Sequence, residues 1–378
     1  MFVALAVQIT VLTLSPGSDL FARFGHTAVL VERDQKSEVY NFGKFDPSQP
    51  GFVGQFWNNE IPYWVGKEDW SRFSRRYGAR LITGQVLNLD DQEAARVADR
   101  LDWSIKPENA YYPYDWFRNN CTTKVRDVID GAVGGDLART ARAESLPTTI
   151  RETLQRSTSE VPSFFRALSL SLNERVDQPI TPFEAMNMPV LLMEGLRTAR
   201  HHNEALVKRE WTKDGPLPHA QPEPSWIFPL LMALILGALF WGSIAQTGVA
   251  QVVSGSALFF YGLVGGVLGL VLVGWSLTGY TDTHFSANLA AFNPLLFALI
   301  PVGIAQARHR SSTRAKSVAR RVCEVLFVAT AFELVAHLAF HGRQVHLAFS
   351  FFALIALALS RLSLAGERIS RPRPYVAP

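Results

Sequence analysis

The sequence predicts two parts of different class: an α+β domain over residues 1–222, then an all-α bundle of five transmembrane helices over residues 223–378. Three observations predict it. Composition is split, because the first part mixes charged and apolar residues as a water-exposed domain does. The second part instead holds five apolar runs near the length that crosses a bilayer, roughly 226–246, 257–278, 289–306, 322–341 and 345–364. Within the first part, β-rich runs stand beside patterns with the period of a helix. Between the two lies Asp214-Gly215-Pro216-Leu217-Pro218-His219-Ala220-Gln221-Pro222-Glu223-Pro224, whose prolines suit an extended spacer.

Basic residues set the expected orientation. Arg308, Arg310, Arg314, Lys316, Arg320 and Arg321 lie between the third and fourth runs, and Arg368, Arg371 and Arg373 follow the fifth. Positive charge beside membrane helices marks the cytoplasmic side, so an odd number of crossings puts the first 220 or so residues outside. The loops near Tyr280–Asn288 and Gly342–Gln344 carry few basic residues and fit the outer face. The chain's net charge of +4 largely reflects the cytoplasmic clusters, so nucleic-acid binding is not expected. Residues 1–14 are apolar but lack a basic start and a small-residue cleavage site, which points to a missing or processed export signal.

In chain order, Val7–Leu14 alternates enough to be a first strand, and Ser15–Asp19 is a turn. Thr27–Val31 and Val39–Phe42 read as an antiparallel pair around the charged turn Glu32–Ser37. Residues 43–66 are rich in glycine, proline and aromatics without a clear period: an irregular surface loop, or an aromatic flap that covers an acyl chain at a bilayer surface. Asp91–Trp103 is helical, introduced by Asn88-Leu89-Asp90-Asp91, with Ala94, Ala95, Val97, Ala98 and Leu101 as its apolar positions. An aromatic extended run over 111–117 gives way at Cys121 to a helix with Val125, Val128 and Ile129 on one side. Leu146–Leu172 gives helices broken at Pro147 and Pro162, and Asp177–Glu184 is a turn before an apolar helix through Met193 and Leu196.

The chemistry concentrates at Asn119-Asn120-Cys121-Thr122-Thr123-Lys124. A cysteine at a helix start meets unpaired N–H groups and the positive dipole end, which favour the reactive thiolate. Arg118, Lys124 and Arg126 add positive charge. The plain alternative is a small buried cysteine in a capped helix. The second cysteine, Cys323, falls in the fourth apolar run, so Cys121 is expected to be a free thiol. Before residue 200 the chain has one histidine, His26. A lone histidine on a strand is commonly structural, but next to a lone cysteine it makes a thiol–imidazole pair, with Tyr40 or Asn41 to orient the ring. The Cys121 N–H, with Asn119 or Asn120, could hold an oxyanion. In the fourth run Glu333, His337 and His341 recur every four residues on one face. They read as interhelical hydrogen bonding, or as a polar lining that receives a lipid headgroup or an acceptor amine. Three side chains on one helix suit a metal poorly, so no metal and no cofactor are expected.

The order Pro16-Gly17, Phe24-Gly25-His26-Thr27, Tyr40-Asn41-Phe42-Gly43-Lys44-Phe45, Leu87-Asn88-Leu89, Tyr114-Asp115-Trp116-Phe117 and Asn119 to Asp127 resembles the exported amino-terminal domain of the Lnb family over roughly residues 7–200. Asp177–Pro189 and His284–Pro294 resemble it less sharply. Histidine before cysteine is similar to circularly permuted papain-like folds, such as the NlpC/P60 relatives that include lecithin–retinol acyltransferase. Where many relatives carry Ser or Thr and then Arg after the cysteine, this chain has Thr122-Thr123-Lys124.

The resemblance implies a bacterial lipoprotein N-acyltransferase of the thiol type, with Cys121 as nucleophile and His26 as base. Its acyl donor would be a membrane phospholipid and its acceptor a diacylated lipoprotein. The protein would be multi-pass in the cytoplasmic (inner) membrane with its catalytic domain in the periplasm, and His284 would join Glu333, His337 and His341 toward lipid or headgroup. Two other functions fit the same residues: an NlpC/P60-type cell-wall peptidase or amidase, and a non-catalytic membrane scaffold.

Overall fold

A computed structural model describes residues 7–17, 19, 22–144, 147–159, 161–213, 227–245, 247–310, 313–340 and 347–365. The spacer 214–224, the turn 342–344, the basic residues after 367 and the whole of His341 lie outside these, as does the side chain of His337. The chain divides into two compact units, 1–165 with 178–223, and 166–177 with 224–378.

The first unit is built on a seven-stranded antiparallel sheet. Its strands are β1 (Gln8–Leu14), β2 (His26–Arg33), β3 (Lys36–Lys44), β4 (Tyr63–Asp69), β5 (Ile82–Leu87), β6 (Tyr111–Tyr112) and β7 (Val207–Lys213), in the order β7-β5-β1-β2-β3-β4-β6. The period-two side-chain rule explains why β1 is central: Ile9 and Val11 face one core, Leu12 and Leu14 the other. On the first face Ile9, Val11, Val29 and Val31 pack against the helices Asp91–Ser104, Cys121–Ala132 and Pro189–Thr198, through Val97, Leu101, Val125, Ile129, Leu192 and Leu196. On the second, Leu12, Leu14, Ala28, Leu30, Val39 and Ile82 close over Phe73 of the helix Trp70–Arg76.

β4, β5, β7 and the helix Asp136–Glu144 go beyond what the sequence pattern predicts. β5 lacks a strand signature because it carries Gly84 and the buried Gln85. A side chain at Gly84 would overlap the Trp211 ring, with a Cβ 2.2 Å from it. The Gln85 Nε2 donates to the Met193 carbonyl at 3.0 Å and to Glu210 Oε1 at 2.7 Å. Residues 43–66 are not an irregular loop throughout: they hold the short helix Phe52–Asn58 and the start of β4.

The second unit is helical, with Ile227–Ile244, Gly248–Ser276, Thr313–Phe340 and Leu347–Ala365 and a broken segment of short helices from Asn288 to Ala307. Among the described residues, two helical segments are long and apolar enough to cross a membrane, Gly248–Ser276 (mean hydropathy 2.2) and the broken segment Asn288–Ala307 (1.7). Small residues permit their close approach: a Cβ on Gly255 would lie 2.6 Å from the Ala307 nitrogen. The segment 166–177 belongs here, tied by Asn173, which donates to the Thr281 and His284 carbonyls at 2.8 and 2.9 Å.

Candidate active site

Cys121 is the first residue of the helix Cys121–Ala132, and its neighbour Asn120 is the reason the helix starts there. The Asn120 carbonyl oxygen Oδ1 accepts from the N–H groups of Thr122 (2.8 Å) and Thr123 (2.9 Å), and Thr123 Oγ1 accepts from the Asn120 N–H at 2.8 Å. A cap of this kind is worth about 1 kcal/mol. Asn120 Nδ2 is committed as well, to the carbonyls of Trp116 (2.8 Å) and Asn187 (2.9 Å). Asn120 is therefore a capping residue with no amide hydrogen left for an oxyanion, which corrects the expectation. Asn119 likewise gives its Nδ2 to the Pro113 carbonyl. The Cys121 N–H, at the helix start, remains as the donor on the nucleophile itself.

His26 opens β2, directly after Gly25, whose φ of +83° turns the chain; a Cβ there would lie 2.7 Å from the Leu14 carbonyl oxygen. The imidazole Nε2 is 2.7 Å from Asn41 Oδ1 on the neighbouring strand β3. Asn41 Nδ2 in turn donates to the Tyr77 hydroxyl at 3.4 Å, and the Tyr77 ring stacks on the imidazole with centroids 6.0 Å apart. With Nε2 engaged, Nδ1 is the nitrogen free for sulfur, and the His26 and Cys121 side chains are near enough for the charge of each to act on the other. Thr27 Oγ1 meets Thr122 Oγ1 at 3.1 Å, which joins strand to helix beside the pair.

These contacts set the charges. Burial alone raises a thiol, but the His26 charge and hydrogen bond, the Thr27 N–H and the Thr122 hydroxyl outweigh it and bring Cys121 down to about 7. Burial lowers His26, and the Cys121 charge with hydrogen bonds to Cys121 and Asn41 more than reverses this, against the opposing charge of Arg80. The imidazole is thus raised above its ordinary value while the thiol is lowered. Tyr40 takes no part: its hydroxyl goes to Asp102, on the helix Asp91–Ser104.

Three tyrosines outside the sequence-predicted site complete the surroundings. Tyr77 backs the histidine. Tyr112 and Tyr114 border Gly43, where the register of β3 on β4 slips between Asn41 and Lys44. At Gly43, with φ +80°, a Cβ would stand 3.3 Å from the Tyr114 ring, 3.5 Å from Cys121 Cβ and 3.7 Å from the Tyr112 hydroxyl. Burial first, then the Cys121 charge, raises the Tyr114 phenol well above its ordinary value, so it stays a neutral O–H. From Tyr114 the aromatics run outward: Tyr63 (4.1 Å between centroids), Phe45 (5.3 Å from Tyr63), Phe52 and Phe56. The signal for Tyr114 was its place in the aromatic run just before the cysteine; nothing in the sequence marked Tyr77.

Residues 3–156 match the family model of the Lnb N-terminal periplasmic domain. The amino-terminal part of the chain therefore carries an Lnb N-terminal periplasmic domain. No curated protein and no solved structure matches the chain. The matched span contains His26, Asn41 and Cys121, and the two long apolar helices of the second unit agree with a membrane protein that carries a periplasmic Lnb domain.

The other sequence-selected residues stand apart from this geometry. His284 is a turn residue whose Nε2 is 2.7 Å from the Thr278 carbonyl oxygen, and Glu333 accepts from Ser350 Oγ at 3.4 Å, both within the helical unit. The Lnb-bearing unit also holds His201 and His202, so His26 is not its sole histidine. His201 is buried with Nδ1 2.7 Å from Asp136 and Nε2 2.9 Å from Glu93. Glu93, His201 and His202 present ligand atoms within 4.8 Å of one another, the grouping among the described residues that a cation could use. Arg96 already sits 3.7 Å from the same Glu93 oxygen.

Proposed function

We propose that this chain is a lipoprotein N-acyltransferase that works through a Cys121 thioester. The observation that carries the reading is the grouping of thiol, imidazole and amide: the charges of Cys121 and His26 act on each other, and His26 Nε2 is held 2.7 Å from Asn41 Oδ1. This is the arrangement of an activated thiol nucleophile with a base and an orienting group.

The thiolate of Cys121 attacks an ester carbonyl of a membrane phospholipid. Charge gathers on the carbonyl oxygen, where the Cys121 N–H donates, aided by the dipole of the Cys121–Ala132 helix. The carbon–oxygen bond to glycerol then breaks, the imidazolium of His26 protonates the leaving alkoxide, and a lysophospholipid departs. The α-amino group of a diacylglyceryl-cysteine lipoprotein attacks the thioester, neutral His26 takes its proton, and the sulfur leaves as thiolate. The products are an amide and the starting enzyme. The aromatic row from Tyr114 to Phe56 gives the departing acyl chain an apolar wall, and exposed Val53 and Trp57 lie on the helix at its outer end. Both substrates are lipid-borne, which suits a chain that continues into apolar helices.

The test is mass spectrometry of a diacylated lipoprotein incubated with phospholipid and either the parent protein or Cys121→Ser. The parent should add one amide-linked acyl chain; the variant should lose transfer by roughly a thousandfold or more. Equal transfer by both would overturn the reading. Cleavage of peptidoglycan fragments without acyl transfer would replace it with a peptidase.

A further inference from the structure

The first unit contains a cavity of about 420 Å³ between the helices Asp91–Ser104 and Cys121–Ala132, with Tyr112 in its wall. Its walls carry three cationic side chains, Arg96, Arg100 and Lys124, against one carboxylate, Asp127. That carboxylate is engaged by Arg126 at 2.7 Å. Arg96 is partly engaged as well, donating to the Ala132 carbonyl at 3.0 Å. Arg100 and Lys124 are different: each is held over an aromatic ring, Trp103 at 4.0 Å and Tyr112 at 4.8 Å, rather than against an acid.

Two cations that converge on one concave space repel each other, and an anion between them removes the repulsion and gains two charge-assisted hydrogen bonds. Burial, reinforced by the Arg100 charge and opposed by Asp127, lowers Lys124 from its ordinary value. Lys124 lies three residues after Cys121 on the same helix, about 5 Å along its axis. Tyr112 is shared: its ring faces Lys124 and its hydroxyl borders Gly43 beside Cys121.

We propose that this cavity is a subsite for a phosphate ester, gripped by Arg100 and Lys124, and that it seats the headgroup phosphate of the acyl donor while an ester of the same molecule meets Cys121. The headgroup assignment rests on the acyltransferase reading; the anion site does not. The donor then passes Tyr112, with its phosphate in the basic cavity and its acyl chain along the aromatic row.

The experiment uses the full chain in neutral detergent. Calorimetric titration of the Cys121→Ala variant with glycerol phosphate should give saturable binding, weakened at least tenfold when Arg100→Gln and Lys124→Gln are added. No saturable binding, or binding that survives both changes, overturns the anion site. Inorganic phosphate should bind more weakly than glycerol phosphate; equal or tighter binding makes free phosphate the ligand and overturns the headgroup assignment. With Cys121 present, thioester formation is followed by intact mass from phospholipid and from a p-nitrophenyl ester. The phospholipid-to-nitrophenyl rate ratio should fall at least tenfold in the double variant, and an unchanged ratio overturns the headgroup assignment. Absence of thioester from either donor refutes the acyltransferase reading, while the titration still decides the anion site. If the double variant melts earlier than the parent, the exposed single change Arg100→Gln carries the same comparison.

Discussion

The chain has two cysteines, both buried and both free, and their surroundings differ in every respect that governs reactivity. Cys121 begins a helix, and around its sulfur are an imidazole, a backbone N–H and a threonine hydroxyl. Cys323 lies inside the helix Thr313–Phe340, in an apolar cluster with Leu258, Leu299 and Leu326, where the helix's own bonds consume the nearby N–H groups. Burial therefore does not decide whether a thiol is silent. What decides it is whether the buried site supplies donors and an opposite charge for the thiolate, because only these offset desolvation.

The contrast can be broken most directly at His26. Replacement by alanine removes the largest of the influences that lower Cys121, so the thiol's midpoint should move from about 7 to 9 or above. Above its midpoint a thiol is thiolate, so at pH 7 the reactive fraction falls from about one half to about one per cent, a loss on the order of fiftyfold. The pH profile of iodoacetamide labelling, read at Cys121 by peptide mass, measures this; an unmoved midpoint would mean that the imidazole does not activate the sulfur. A smaller effect is expected at Asn41. Asn41→Ala should slow thioester formation on the order of tenfold, because the ring loses the acceptor that orients Nε2. Asn41→Asp, which keeps an oxygen there, should restore most of the rate, and equal loss in both variants would assign Asn41 a packing role only.

Smaller still is the expected change at Gly43. Alanine would have to adopt φ +80° against the Tyr114 ring, at a cost of about 1–2 kcal/mol. For a unit of this size that is a melting decrease of a few degrees, readable by calorimetry. Least affected of all should be Cys323→Ala, costing about 1 kcal/mol of stability and leaving the labelling rate of Cys121 as it was. A change in that rate would couple the two cysteines and remove the contrast.

The histidines teach a similar lesson about legibility. His26 and His201 both lie in the first unit, yet one faces a thiol and an amide and the other two carboxylates. The residues on either side of each give no hint of this, since the partners come from positions 15 to 108 residues away in the chain. The helix at Cys121, the capped helix at Asp91 and the β2–β3 pair were legible because local signals control them: a capping asparagine, a capping box, alternation around a polar turn. β5 was not legible, because Gly84 and Gln85 owe their places to Trp211, Met193 and Glu210.

By itself, then, the amino-acid sequence determined a split chain, a thiol at a helix start, a histidine on a strand and the family to which the amino-terminal domain belongs. Only tertiary structure decided that Asn41 rather than Tyr40 holds the imidazole, that Asn120 is a cap and not an oxyanion donor, and that Lys124 shares a cavity with Arg100. The physical reason is the range of each interaction: helix starts are fixed by atoms within three or four residues, whereas a side chain's partner across a sheet or between helices is fixed by packing.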